Sequence, residues 1–190
     1  EPDAAAFQEA KRNPESPESL AAFRDILRGL NFAWIRRVGE LIRDHLLSAL
    51  AVEAERTLVR LLDSSYKADP GCEAKLALAE ALYRLGEGSP APWRRVITFV
   101  QREPVWSPEG KIDTAANVRG AGAAALIATG DPRAPFDVLN LLVDPEPVVV
   151  ATTLDTLARM APESSVDFIA GFLNDSHEQI READAVALAS

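Results

Sequence analysis

Few side chains in this sequence have the types and spacing that catalysis or metal binding needs. The 190 residues include two histidines and one cysteine. We interpret His45 as a partly buried histidine on the core side of a helix, because no second His, Cys or carboxylate cluster is near it in sequence. Cys72 has no partner for an internal disulfide or a cysteine-based zinc site, and we expect it to be a reduced packing residue. No Ser-His-Asp set or Gly-rich phosphate loop is recognisable, so the sequence predicts no enzyme, no metal and no other cofactor.

The best candidate binding residues lie in or near an irregular stretch at 102–111. It reads Arg-Glu-Pro-Val-Trp-Ser-Pro-Glu-Gly-Lys, and loops of this length inside compact domains are often functional. Trp106 lies between two prolines, and it is either an exposed anchor for a partner or a side chain that folds back over helix ends. Arg94, Arg95 and Arg102 form a small basic cluster in sequence, although most such arginines pair with neighbouring acids on the solvent face.

The elements that must position these residues are helices. Apolar residues recur at steps of three and four, and there are too few alternating β-branched runs to support a sheet. We predict helices over about 2–12, from the cap at Ser16 to Gly29, over 32–50 and 52–63, and two between 73 and 101 separated by a break at 86–90. Their predicted apolar faces include Leu30, Tyr83 and Val100.

The C-terminal part repeats itself every 31 residues. Three columns keep this spacing, namely Asp113, Asp144 and Asp175; Val118, Val149 and Ile180; and Leu126, Leu157 and Leu188. In the first unit one helix ends at Gly130 and a second follows, with Phe136 and Val143 predicted on its apolar side. A period between about 20 and 50 residues is typical of solenoids. We therefore predict an all-α fold, an α-solenoid of stacked antiparallel helix pairs.

The repeat units also share specific motifs. These are Asp113-x4-Val118-Arg119 and Asp175-x4-Ile180-Arg181, with Gly130-Asp131-x-Arg133-Ala134 between them. The pattern resembles HEAT repeats, most closely the short-period type also found in phycobilisome lyases. Val150 stands where the second unit would have its arginine, so we expect no continuous ladder of arginines. The resemblance implies a curved stack with an extended concave surface, in a family that mostly binds other proteins.

These patterns divide the chain into three parts. Residues 1–63 are an N-terminal helical cap with a degenerate repeat, and residues 64–112 are a degenerate repeat with the inserted loop 102–111. Residues 113–190 are two full repeats and one half. The half repeat, 176–190, has an apolar face without a partner helix, so we expect the chain to continue beyond it or to self-associate through it.

The acidic charge is concentrated in the repeats. The net charge is −9, and residues 113–190 carry 12 acidic and four basic side chains. Such a surface attracts a protein partner with a basic surface and repels nucleic acid, unless it is only a solvated face that keeps the protein in solution. No apolar run approaches the length of about 20 residues that spans a membrane, and we predict a cytoplasmic protein.

The leading functional hypothesis is a non-catalytic scaffold for protein–protein interaction. The resemblance leaves a second possibility, a phycobilisome-lyase-like enzyme that handles a bilin chromophore. A third is nucleic-acid binding, since helical-repeat DNA glycosylases use a similar scaffold. This third use needs a basic concave face, which the acidic repeats do not predict.

Overall fold

The computed structural model describes residues 4–86, 88–105 and 110–160. This part of the chain is mostly α-helical and its helices pack in pairs, as predicted. The helices are α1 (Ala4–Arg12), α2 (Pro17–Arg28), α3 (Phe32–His45), α4 (Ala51–Leu62), α5 (Glu73–Leu85), α6 (Pro90–Val96), α7 (Ala116–Ala128), α8 (Ala134–Leu139) and α9 (Pro147–Met160). Short 3-10 turns cover Ser48–Leu50, Tyr66–Ala68, Pro70–Cys72 and Asn140–Val143.

Several helix boundaries follow from local sequence chemistry. The Ser16 hydroxyl accepts a hydrogen bond from the Ser19 N–H at 3.1 Å, and Pro17 occupies the first turn of α2. Gly86 and Gly130 end α5 and the turn after α7 with φ values of 67° and 70°. Glycine adopts this left-handed conformation without the steric penalty that a side chain brings. These start and stop signals were predicted and are confirmed.

The third helix ends earlier than predicted. We expected a helix over 32–50, but α3 stops at His45, because Leu46 takes a left-handed conformation with φ 53°. His45 therefore lies exposed at the helix end, and its predicted place on the core side is wrong. Leu30 is likewise 84% exposed, because α2 ends at Arg28 before that residue can join its apolar face.

The first helices of the pairs pack on one another in chain order, α3 on α5, α5 on α7 and α7 on α9. Small residues allow these close contacts. A Cβ atom on Gly39 of α3 would lie 3.1 Å from the backbone of Ala77 in α5. A main apolar core extends from Phe7 in α1 to Val149 in α9, and a smaller cluster surrounds Leu154.

The stretch between α6 and α7 contains a two-stranded antiparallel sheet, contrary to the prediction of no sheet. Strand β1 (Arg102–Pro104) pairs with β2 (Lys111–Asp113), with Glu103 opposite Ile112. The strands have three residues each, which is too short for an alternating pattern to be recognised in sequence. Trp106 lies outside the described residues, as do residues 161–190 with the predicted half repeat.

Some side chains predicted on apolar faces are exposed instead. They are Tyr83, Val100, Phe136 and Val143. Val100 follows α6, which ends at Val96, and Val143 is the last residue of the 3-10 turn after α8, so neither belongs to an α-helical face. Phe136 differs from its sequence counterpart Trp93, which is 2% exposed, although both follow an Ala-Pro pair.

Candidate functional site

A buried ion pair connects α5 to the turns on either side of its helix pair. Lys75, near the start of α5, and Asp69, in the turn before it, are both fully buried. The Lys75 ammonium lies 3.2 Å from the Asp69 carboxylate and donates to Gln101 Oε1 at 2.9 Å. The Phe99 ring lies 5.5 Å from Nζ. The Asp69 carboxylate also accepts the N–H groups of Ala74 and Lys75, so both buried charges have close partners.

A second buried ion cluster lies one helix pair further along. Arg119 in α7 is 2% exposed, and its guanidinium donates to Asp113 at 2.6 Å and to Asp144 at 2.8 and 2.9 Å. It also donates to the Phe99 carbonyl at 3.0 Å. Burial alone would lower the pKa of Arg119, but the hydrogen bonds to Asp144 and Asp113 outweigh burial and raise the pKa. Arg119 therefore stays charged and ties the turn before α7 to the turn before α9.

The two clusters, which we call the Lys75 clamp and the Arg119 clamp, occupy equivalent places in successive helix pairs. In each, an acid precedes the first helix of the pair and the cation follows six residues later. Each cation also contacts the next turn between pairs, 26 residues beyond Lys75 and 25 beyond Arg119. The next unit departs from this pattern, since Val150 follows Asp144 by six residues and packs in the smaller apolar cluster.

Glu103 in β1 fastens the hairpin to the turn between α4 and α5. Its carboxylate accepts hydrogen bonds from the Thr114 hydroxyl at 2.6 Å, the Gln101 amide at 2.7 Å and the Gly71 N–H at 2.7 Å. Burial alone would raise the pKa of Glu103, but these hydrogen bonds and the nearby charge of Lys75 outweigh burial and lower the pKa. The ionised form of Glu103 therefore holds the hairpin in place.

Cys72 lies beside this contact and is free and buried. Its Sγ atom is 3.6 Å from the Thr114 hydroxyl oxygen. Burial raises the pKa of the Cys72 thiol to about 11, so the thiol stays protonated near neutral pH. A thiolate is the reactive form of cysteine, so this environment is typical of a packing residue and not of a nucleophile.

The structure places the three arginines chosen from the sequence in different surroundings. Arg94 in α6 lies between two acids of the next helix pair, at 2.7 Å from Asp137 and 3.1 Å from Asp131. Arg95 pairs with the aspartate that follows α4. Arg102 is exposed in β1. The arginines of α6 thus join neighbouring elements, and Arg102 lines a separate surface groove.

This groove, which we call the hairpin groove, has a volume of about 450 Å³. It lies among the turn after α6, the hairpin and the turn before α9, and the Arg119 clamp also lines it. Its remaining walls include Val100, Arg102, Lys111, Ile112, Pro145 and Glu146. The groove therefore combines aliphatic side chains with ionised groups of both signs.

A larger and more apolar cleft of about 580 Å³ lies among α1, α2 and α3. Phe7 of α1 packs edge-on against Phe23 and Trp34, with ring centroids 5.9 and 4.9 Å apart. The Arg37 guanidinium lies 4.8 Å above the Trp34 ring. These aromatic side chains therefore pack α1 against α2 and α3.

Across 4–86, 88–105 and 110–160, no group of three or more His, Cys, Asp or Glu side chains is placed to hold a metal ion. Within those ranges, no helix is both long enough and apolar enough to cross a membrane.

No protein-family model matches the chain, and a search of the curated proteins finds no significant match. The resemblance to HEAT repeats therefore rests on the motifs of the sequence alone.

Sequence reasoning missed the Lys75 clamp. Asp69 and Lys75 keep the six-residue spacing of Asp113 and Arg119, so extending the repeat upstream past the insertion would have found them. Gln101 has no such signal, because its role depends on a contact with a helix 26 residues earlier in the chain.

Proposed function

We propose that the chain is a HEAT-like α-solenoid that binds another protein and performs no catalysis. The recurring buried clamp carries this proposal. In a solenoid each unit contacts its neighbours, and the contacts between units supply much of the stability. Lys75 and Arg119 make such contacts at equivalent positions, so the most buried charges of the described chain serve assembly of the stack. The packing order of α3, α5, α7 and α9 supports the same architecture.

The charge distribution supports a partner with a basic surface. Residues 113–190 carry 12 acidic and four basic side chains, whereas residues 1–112 carry 17 acidic and 16 basic ones. Unpaired surface charges attract an oppositely charged partner over about 10 Å at an ionic strength near 0.1 M. The same field opposes the phosphates of nucleic acid. The free, buried thiol of Cys72 supports a cytoplasmic location as part of this proposal.

Affinity capture followed by reconstitution tests the scaffold proposal. The intact chain is used to capture proteins from the source lysate at low and moderate salt, and each retained protein is then purified and titrated calorimetrically. We expect direct binding to at least one purified protein and weaker binding as salt rises. A matched Trp106→Ala variant tests whether that residue is the anchor, with the thermal midpoint as the folding control.

Other results of the same experiment would contradict the proposal. Recovery of nucleic acid in place of protein would favour the nucleic-acid alternative. A retained visible pigment, or a change in the absorption of added bilin, would favour the chromophore-handling enzyme. Failure of every retained protein to bind after purification would also overturn the scaffold role.

A further inference from the structure

We propose that the hairpin groove docks an extended segment of a protein partner in which acidic side chains flank an aliphatic one. The inference rests on the proposed scaffold function. It adds that the partner, whose remaining surface is basic, carries one local acidic segment, and it names the groove where that segment binds. Three features of the groove carry it: two free cations, exposed aliphatic side chains, and a carboxylate that restricts how much negative charge can enter.

The hairpin supplies the two cations. The strand register pairs Arg102 with Asp113 and Pro104 with Lys111. Since side chains alternate between the faces of a strand, Arg102 and Lys111 lie on the same face of the hairpin. Both are exposed, and neither has an ion-pair partner among the residues that the structure describes. They therefore remain available for the carboxylates of a partner, unlike Arg119.

Two exposed aliphatic residues line the same groove, one in the turn after α6 and one in β2. Val100 is 52% exposed and Ile112 is 46% exposed, and both line the groove. Val143, which immediately precedes the groove residue Asp144, is 85% exposed. An aliphatic side chain of a partner would remove this apolar surface from water, which favours association.

Glu146 makes a short peptide a better occupant than a nucleic acid. It lines the groove, and within the described ranges its carboxylate has no ion-pair partner. The groove is lined by three cations and three anions, of which Arg102, Lys111 and Glu146 have no ion-pair partner within the described ranges. One or two carboxylates can contact the hairpin cations away from Glu146, whereas a phosphate backbone would bring repeated charge against it.

Peptide binding followed by methyl NMR tests this proposal on the full chain. The probes are short blocked peptides with Glu on both sides of Leu, matched peptides with Lys in place of Glu, and a single-stranded oligonucleotide. We expect the Glu peptides to bind and to shift the Val100 and Ile112 methyl signals. The double variant Arg102→Glu/Lys111→Glu should weaken binding by about tenfold or more.

A second double variant separates local contact from overall charge. Arg56→Glu/Arg84→Glu reverses two exposed arginines on α4 and α5 and makes the same change in net charge. It should change the affinity for the Glu peptides by less than about twofold. Glu146→Gln should leave binding unchanged or tighten it, since it removes the one free anion of the groove.

Several outcomes would overturn the groove as the docking site. These are equal weakening by both double variants, equal binding of the Lys peptides, tighter binding of the oligonucleotide at the same methyls, and no binding of the Glu peptides. Peptide-induced shifts confined to another face would also overturn it. None of the peptide results decides the scaffold proposal, which is tested separately by capture and reconstitution.

Discussion

Lys75 carries a positive charge where solvent does not reach, and its closest counter-charge is the Asp69 carboxylate. Lys75→Met would keep most of the side-chain volume but leave that carboxylate buried with only its two backbone N–H donors. We expect a loss of about 3 kcal/mol in the free energy of unfolding, because a buried charge is left uncompensated. Urea denaturation measures this loss.

A double-mutant cycle and an exposed pair control this experiment. Asp69→Asn/Lys75→Met should lose at least about 1 kcal/mol less than the sum of the single variants, because the two side chains contact each other. Arg159→Ala breaks an exposed pair with Asp155 in α9 and should cost less than about 0.5 kcal/mol. Equal losses for Lys75→Met and Arg159→Ala would show that the buried pair does not stabilise the fold.

At the residue scale, the sequence predicts features that depend on neighbouring residues in the chain. It misses contacts between residues that are far apart in the chain. Ser16 and Gly130 act on backbone groups within a few residues of themselves, so their types and positions were sufficient. Leu46 ends α3 in a conformation that leucine rarely adopts, and its residue type gives no sign of it. Gln101 meets Lys75 only after the helices have packed.

Gly39 tests how closely the helices α3 and α5 must approach. Gly39→Ala gains about 1 kcal/mol from helix propensity. Its new Cβ would, however, lie 3.1 Å from the Ala77 backbone carbon and 3.2 Å from the carbonyl oxygen. Backbone atoms cannot move aside as a side chain can, and overpacking costs about 1–3 kcal/mol. We expect a net loss of about 1 kcal/mol, measured by urea denaturation.

The helix-propensity part of this prediction has its own control. Ala21→Gly in α2 alters an exposed position and should lower the free energy of unfolding by about 1 kcal/mol. This loss measures the difference in helix propensity between alanine and glycine in this protein. A gain in stability for Gly39→Ala that matches the Ala21→Gly loss would mean that the α3–α5 contact has room for a methyl group.

The hairpin depends on the ionised form of Glu103, which makes its attachment sensitive to acid. The pKa of Glu103 is lowered in the folded protein from its ordinary value of 4.5. Its stabilising contribution is therefore full above about pH 4.5 and is lost as the pH falls through the lower, folded pKa. We expect Glu103→Gln to be less stable than the native chain near pH 7, by about 1 kcal/mol.

This difference in stability should shrink as the pH falls below 4.5, because native Glu103 then becomes neutral like the variant. Urea denaturation of both proteins over this pH range measures the difference. Glu55→Gln, an exchange of a half-buried carboxylate in α4, serves as the comparison. A gap between native chain and Glu103→Gln that stays constant down to acid pH would contradict the role of the ionised carboxylate.

The hairpin was the element that sequence reasoning could not predict. In the sequence the predicted insertion interrupts the 31-residue repeat, and the structure places Arg102 in β1. The strands of the hairpin are three residues long and are held by Glu103 against Gly71, a residue 32 positions earlier. A contact of this kind has no periodicity, so only its location and not its structure was predictable.

For the whole molecule, the Arg119 clamp should govern how firmly the C-terminal pairs attach. Arg119→Leu would leave Asp113 and Asp144 without their cation, at a cost of about 3–5 kcal/mol. Since neighbouring pairs contact each other in order, we expect amide hydrogen exchange to rise in α7 and α9 well before it rises in α3. Hydrogen exchange measured by mass spectrometry distinguishes these helices.

The exposed Arg133, in the turn before α8, gives a matched control for this prediction. Arg133→Leu should leave the exchange of α7 and α9 close to that of the native chain. An Arg119→Leu variant whose helices all exchange at the same increased rate would show one cooperative unit in place of separable helix pairs.

The helix pairs and their order along the chain were predictable at this scale, because the 31-residue period and the Gly-Pro breaks report them directly. The sharing of charges between successive pairs was not. Asp144 belongs to one unit in sequence and completes the ion cluster of the unit before it. A repeat column shows that a residue recurs, and only the packed structure shows which neighbour it contacts.

The two ends of the segment between α6 and α7 are hydrogen-bonded to each other. The Thr114 N–H donates to the Gln101 carbonyl at 3.0 Å, and the Gln101 N–H donates to the Asp113 carboxylate at 3.1 Å. Because these ends are joined, the segment between them can change in length without altering the path of the chain from α6 to α7. Protein engineers therefore have a graft position in the chain between β1 and β2, where an epitope or a reporter domain could be displayed on an unchanged scaffold.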